Sequence, residues 1–208
     1  MAAGAYIFII VVSYILGATP SGFLVGKARG IDVRAAGSGN IGATNVMRVL
    51  GRGAGIVVLV ADGLKGFIAA RWLPLLALVL FPSPSTPADY LAVAGGAAAI
   101  VGHIYTFWLH FKGGKGVATT AGVVMAWAPA ACLTALATWL LVVAVTRFVS
   151  VGSIAAAIVL PFAVWGWGGG TTMTGVMTCV SILAIYKHKG NIQRLLKGEE
   201  SRFGKEKK

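Results

Sequence analysis

Acidic residues are what this chain has least of. Six Asp and Glu stand against 18 Lys and Arg, a formal net charge of +12, yet only 12% of the 208 residues are charged. A soluble globular domain carries about 25%. Cysteine is scarce too. Cys132 and Cys179 both lie in apolar runs, read as small buried hydrophobes, and leave no disulfide framework to expect. His103, His110 and His188 are scattered, with no Cys/His pair at ligand spacing, so neither a metal nor a cofactor is expected. The Walker pattern is missing. Gly22 and Gly26-Lys27 are separated by three residues where four are needed, and Ala28 follows the lysine, which disfavours nucleotide binding. There is no Gly-x-Ser-x-Gly elbow and no cysteine in a polar loop, which excludes those two nucleophile settings. With no long polar stretch, there is no room for a second, soluble domain.

Hydrocarbon fills the rest. Hydrophobic residues make up 57% of the chain and the mean hydropathy is +0.83, with repeated apolar runs near the length that crosses a bilayer. These features predict an all-α integral membrane protein, one domain over residues 1–208. Seven spans are expected, at about 4–25, 54–81, 90–111, 117–128, 130–146, 151–167 and 171–186. The first lacks the basic leader of a signal peptide and reads as a transmembrane helix. Pro82, Pro84 and Pro87 break the chain after the second span, and Pro129 separates the fourth from the fifth. Gly168-Gly169-Gly170 turns into the seventh. Trp72, Trp108 and Trp167 suit an interfacial belt.

The basic residues test that layout. They fall in the segments 27–53, 112–119, 147–153 and 187–208, and seven spans put all four on one side, with 16 of the 18 Lys and Arg. The positive-inside rule makes that side cytoplasmic, so the N-terminus lies outside and the C-terminus inside. A six-span chain, with 117–146 as one kinked helix, would put Arg147 and the tail on opposite sides. The net charge is thus accounted for by topology and anionic lipid, and nucleic-acid binding loses support.

Two polar segments exceed what a turn needs. The first is Gly37-Ser38-Gly39-Asn40-Ile41-Gly42-Ala43-Thr44-Asn45, with Lys27, Arg29 and Arg34 before it and Arg48 and Arg52 after. Glycines let successive N–H groups turn inward into an anion nest, and hydroxyls and carboxamides add donors. A plain cytoplasmic turn explains Lys27 or Arg52 but not this density. The second is Lys112-Gly113-Gly114-Lys115-Gly116, at the start of a helix whose positive dipole end favours phosphate. Its alternative is a glycine hinge with topogenic lysines. Asp62 and Lys65, three residues apart inside a span, share a helical face and serve either as a mutual pair or as part of a site. Ser150 suits an N-cap. His103 reads as a packing hydrogen-bonder and His110 as interfacial. His188 and Asn191 lie three apart at the membrane exit, so they can face a site together, although a charged tail is more often a solvated amphipathic piece.

With these segments in order, the chain resembles the bacterial acyl-phosphate-dependent glycerol-3-phosphate acyltransferases over almost its whole length. The resemblance rests on Ser21-Gly22, Gly26-Lys27, Asp32, Arg34 and the 37–45 segment with Arg48. It continues in Gly102-His103 and 111–119, then in His188, Asn191-Ile192, Arg194-Leu195, Gly198 and Glu200. Lys189 and Lys197 occupy loose positions of the pattern. The resemblance implies a seven-helix inner-membrane enzyme with a cytoplasm-facing site. It moves a fatty acyl chain from acyl phosphate to the 1-hydroxyl of glycerol 3-phosphate, giving lysophosphatidate and phosphate. Carried over, Ser38, Thr44 and Arg48 hold the donor phosphate, within the backbone of Gly37, Gly39, Asn40, Gly42 and Asn45. Lys112 or Lys115, with Gly113, Gly114, Gly116, Ser153, His188, Asn191 and Arg194, serve glycerol 3-phosphate. Ser38, Arg48, Lys115, His188 and Asn191 are the expected catalytic set. No obligate protein partner is implied. The His-x4-Asp dyad of the common glycerolipid acyltransferases is missing, since positions 108, 115 and 193 are Trp, Lys and Gln. The rival is a transporter or flippase for phosphorylated metabolites or lipids, which would hold anions near the midplane, often within two repeats; the candidates here crowd one face and no repeat is visible. A structural membrane subunit leaves the donor-rich loops unexplained.

Overall fold

The computed structural model describes residues 2–82 and 87–204. Pro84 of the expected proline break and Lys205, Lys207 and Lys208 of the basic tail lie outside the described residues. The described residues are helical with connecting turns and divide into two units, Met1–Trp127 and Ala128–Lys208.

The first unit holds α1 (Ala2–Ala18), α2 (Ser21–Lys27), α3 (Ala43–Leu50), α4 (Arg52–Leu80), α5 (Ala88–Ile104) and α6 (Val117–Trp127). The expected first span is therefore two helices. Pro20 lacks an N–H and cannot continue α1, so the chain restarts at Ser21. The third is shorter than expected. It ends at Ile104, and a 3₁₀ turn, Phe107–Leu109, carries the chain to His110 in the left-handed region. The polar segment 27–53, expected as loop, contains α3, whose hydrophobic residues Val46 and Leu50 pack with Val33, Ile41, Ala54, Val58 and Leu109. The second span is one helix with Pro74 inside it, as expected.

Small residues let these helices touch. A side chain at Gly17 would strike the Ala99 carbonyl, one at Gly102 the Tyr14 carbonyl, and one at Gly122 the Gly63 carbonyl. Close backbone approach of this kind is how helices associate where lipid is as apolar as leucine. The apolar bulk points outward instead. Ile7, Val57, Val79 and Trp72 are exposed, while Asp62, Lys65, His103 and Thr119 are buried. That inversion is what a hydrocarbon solvent selects.

The second unit holds α7 (Pro129–Thr146), α8 (Val149–Gly166), α9 (Gly170–Lys187) and α10 (Lys189–Leu196). Pro129 sits in the first turn of α7, where its missing N–H is harmless, so 117–146 is two helices and not one kinked helix. Trp167 is exposed and donates from Nε1 to Thr134 Oγ1 at 3.1 Å. Two expectations fail here. Cys132 is buried but Cys179 is exposed, because α9 turns it outward among Ile182 and Tyr186. Ser150 is not a cap. Phe148 occupies the N-cap of α8, and the Ser150 hydroxyl is drawn to a carboxylate in the tail.

Among the described residues, five helical segments are long and apolar enough to cross a membrane: Ala2–Lys27, Arg52–Leu80, Ala88–Leu109, Pro129–Thr146 and Val149–Gly166. Val117–Trp127 has 11 residues, about 16 Å of helix at about 1.5 Å per residue. Gly170–Lys187 is long enough but opens Gly-Thr-Thr-Met-Thr-Gly, which lowers its hydropathy. The chain is a multi-pass membrane protein by these helices.

Candidate anion-binding sites in the two units

In the first unit the 37–45 segment is a built structure and not a slack turn. Gly37 and Gly39 take left-handed φ of 61° and 71°, which the glycines allow. Asn45, buried on the first turn of α3, is the staple. Its Oδ1 accepts the Ser38 N–H at 2.7 Å, and its Nδ2 donates to Val33 O at 2.9 Å and Ala36 O at 3.2 Å. Asn40 accepts the Gly42 N–H at 2.7 Å through Oδ1, an Asx turn. Both carboxamide oxygens and the Asn45 NH2 group thus shape the loop. They leave the Ser38 side chain and Arg48 exposed and Thr44 half-buried. Gly42 is the N-cap of α3 and gives no side-chain cap to its first turn. Thr44 and Arg48, four residues apart, lie on one face of α3. Arg34 is paired with Asp32 at 2.7 Å and stacks over Phe23. The Arg34 hydrogen bonds hold the Asp32 carboxyl at about 2, below the ordinary carboxylate range.

The 112–116 segment also has internal reasons for its glycines. Gly113 N–H donates to Ile104 O and Gly114 N–H to His103 O, both at 3.1 Å. A methyl group at 114 would overlap His103 Nε2, and one at 113 the His103 carbonyl. Gly116 has φ 82° and opens α6. The loop therefore lies flat on the end of α5, with Lys112 exposed and Lys115 half-buried. In sequence these glycines read as space for a phosphate; the space is largely taken by His103.

The second unit gathers its polar groups around Glu200. This carboxylate is 8% exposed. Its Oε1 accepts Ser150 Oγ–H at 2.8 Å and Asn191 Nδ2–H at 2.7 Å, and its Oε2 accepts Arg194 Nε–H at 2.7 Å. Burial works to raise its pKa, but the bonds from Asn191, Arg194 and Ser150 together outweigh it and hold the carboxyl below its ordinary value. The tail is not a solvated piece; it folds back. Phe203 N–H donates to Arg147 O, and Arg202 lies over Phe148. His188 is buried and its Nδ1–H donates to Ala184 O at 2.8 Å, since a carbonyl can only accept. Ser153 Oγ donates to Val149 O at 2.9 Å and accepts Trp139 Nε1–H at 3.2 Å. Among the described residues, no group of three or more His, Cys, Asp or Glu could hold a metal.

Ser38, Thr44 and Arg48 thus share one short helix–loop element, as their spacing predicts. Ser150, Asn191, Arg194 and Glu200 share one polar cluster, which spacing alone does not. Glu200 belongs to the motif pattern, but nothing in the linear order says that three partners converge on it.

The arrangement defines a class first: a helical multi-pass membrane protein that presents donor-rich, cationic elements at helix ends. The family description "Glycerol-3-phosphate acyltransferase" matches residues 7–198. A glycerol-3-phosphate acyltransferase of Geobacter sulfurreducens is 45% identical over 92% of this chain and 94% of its own length. One from Desulforudis audaxviator is 44% identical over 98% of each. The crystal structure of PlsY (YgiH), an integral membrane glycerol 3-phosphate acyltransferase, in its glycerol 3-phosphate form, superposes with a TM-score of 0.86 at 39% identity. It covers 97% of this chain and 96% of that one. The lysophosphatidic acid form gives 0.84. The chain belongs to the glycerol-3-phosphate acyltransferase family.

Proposed function

We propose that this protein acylates glycerol 3-phosphate at its 1-hydroxyl, with acyl phosphate as donor, giving lysophosphatidate and phosphate. The observation that carries the reading is likeness over nearly the full length to a membrane acyltransferase crystallised in a glycerol 3-phosphate form and in a lysophosphatidic acid form. The choice of donor rests on the chain's chemistry. No His-x4-Asp dyad and no Gly-x-Ser-x-Gly elbow is present, whereas an acyl phosphate arrives already activated. The enzyme then needs no covalent intermediate; it needs to bring two phosphate-bearing molecules together, against their repulsion.

Ser38, Thr44 and Arg48 hold the donor phosphate, with N–H groups of the 37–45 backbone around it. Lys112 or Lys115, with Ser153, His188, Asn191 and Arg194, hold and orient glycerol 3-phosphate. The 1-hydroxyl oxygen attacks the acyl carbon, the bond from that carbon to the phosphate oxygen breaks, and phosphate leaves with the electron pair. The hydroxyl proton passes to a phosphate oxygen. Orientation of this kind can supply about 7–11 kcal/mol in favourable cases, and donors that tighten as charge moves to the leaving phosphate add to it. We place the protein in a bacterial inner membrane with seven spans, N-terminus outside. Val117–Trp127 and Gly170–Lys187 complete the five longer segments, since only that count puts 16 of 18 basic residues on the cytoplasmic side.

The test is purified protein with palmitoyl phosphate and glycerol 3-phosphate, following lysophosphatidate and phosphate. Uptake of glycerol 3-phosphate into vesicles with no acylated product would overturn the reading in favour of a carrier. His188 is the competing base. His188→Ala should lower kcat/KM and leave the shape of the pH–rate profile unchanged; loss of its acidic limb would make His188 the base.

A further inference from the structure

Three ionisable side chains lie buried in the first unit, apart from the groups assigned to either phosphate: Asp62 and Lys65 on α4 and His103 on α5. Asp62 Oδ1 stands 2.8 Å from Lys65 Nζ and 3.6 Å from His103 Nδ1. Each end of this set reaches a break in the chain. At one end Lys65 Nζ donates to Thr19 O at 2.9 Å. That carbonyl lies just past the end of α1 and also accepts the Ser21 N–H at 3.1 Å; it stands at the negative pole of the helix, where an ammonium is favoured. Thr106 Oγ1 takes the neighbouring Ala18 O. The helix that restarts after this break, α2, carries the first loop: side chains at Gly22 and Gly26 would meet the Ile41 and Ile31 carbonyls. At the other end the His103 carbonyl and ring form the floor under Gly113 and Gly114.

Stability alone does not call for such a set. Well-packed hydrophobic residues often replace a buried ion pair without loss, and ionisable groups at membrane depth are costly. What hydrophobes cannot reproduce is the charge-assisted bond from Lys65 Nζ to Thr19 O, which fixes distance and angle while Asp62 balances the ammonium. We propose that Asp62, Lys65 and His103 are positioning residues that set the 37–45 loop and the 112–116 loop relative to each other through the α1–α2 break and the end of α5. The role as written for acyl transfer rests on the proposed function; the geometry it concerns does not.

The test uses the full chain in detergent and two variants. Asp62→Asn/Lys65→Met removes both charges together, and His103→Phe keeps a ring but loses the contact to Asp62. Three quantities are read: the thermal midpoint, kcat and KM for both substrates, and the rise in midpoint produced by inorganic phosphate. The expected result is a midpoint near that of the unaltered protein with kcat/KM lower by about 10- to 100-fold, since small misplacements of reacting groups have effects of that size. The phosphate-induced rise should shrink in parallel. Lys65→Arg, which keeps the charge and the reach to Thr19, should restore most of the activity. A folded variant with kcat/KM within about twofold of the unaltered protein and full phosphate protection would overturn the proposal. Failure of both variants to fold would also overturn it, leaving the set a stability device. If the unaltered protein shows phosphate protection but no transfer from acyl phosphate, the reaction assignment fails. Phosphate protection in the folded variants then decides the positioning role by itself.

Discussion

Asp62 finds its cation three residues along its own helix, whereas Glu200 draws its partners from 50, 9 and 6 residues away. Both carboxylates are buried, and both tie a polar element to a membrane helix. The first is a pair that helix geometry makes inevitable once α4 forms, because i and i+3 share a face. The second exists only after α10 has formed and the tail has turned back to α8. The difference separates two kinds of internal charge. Asp62 neutralises a lysine that would otherwise be stranded among apolar side chains. Glu200 has one cation and two neutral donors, and it fixes the orientation of Asn191, a candidate ligand of glycerol 3-phosphate.

Breaking each in turn measures the contrast. Asp62→Ala strands the Lys65 ammonium and should destabilise the first unit by about 3–5 kcal/mol, read as a large fall in the thermal midpoint or loss of folded protein from membranes. Glu200→Gln keeps an oxygen for Ser150 or Asn191 but loses the charge. It should loosen the tail by about 1.5–3 kcal/mol, read as faster tryptic cleavage at Arg194 and Arg202, with α7–α9 intact. Acid makes the same change reversibly. Because the folded-state pKa of Glu200 is depressed, its contribution is fully present above the ordinary glutamate value of about 4.3. It is lost as pH falls from there through the lower folded value. Tail protection that rises with acidity would contradict this sign.

The glycines sharpen the comparison at a smaller scale. Gly114→Ala places a methyl group on His103 Nε2 and should destabilise by about 1–3 kcal/mol through overpacking, with KM raised. Gly30→Ala meets open space at φ 71°, so only backbone strain of about 1–2 kcal/mol is expected, with no change in KM. Equal kinetics in the two variants would remove His103 as the floor of that loop. Ser38→Ala is the mildest. The Ser38 side chain is exposed, so the midpoint should not move, while KM for acyl phosphate rises about fivefold with kcat spared. A fall in kcat would mean that Ser38 also assists departure of the phosphate.

Composition and the order of motifs were enough to read an all-helical membrane chain, the two donor-rich loops and the Asp62–Lys65 pair, because those features depend on hydropathy and on neighbours within one helical turn. Three features depart from the linear reading: the third span ends at Ile104 and not at 111, the chain restarts after Pro20, and the Asn45 carboxamide is spent inside the first loop. Pro20 acts locally through its missing N–H; contacts from elsewhere in the chain decided the other two. Asn45 turns toward Val33 and Ala36, and the chain after Ile104 turns back so that Gly113 and Gly114 can bond to the end of α5.

Hydrophobic periodicity, charge placement and local spacing are carried by the sequence itself, so membrane class, the location of the donor-rich loops and the family resemblance were determined there. What a buried polar group touches depends on which helices meet. Tertiary structure alone decided that His103 lies under Gly114 and that Glu200 gathers Ser150, Asn191 and Arg194. The physical reason is that a donor buried away from water must find an acceptor wherever the fold supplies one, and that acceptor need not be near in sequence.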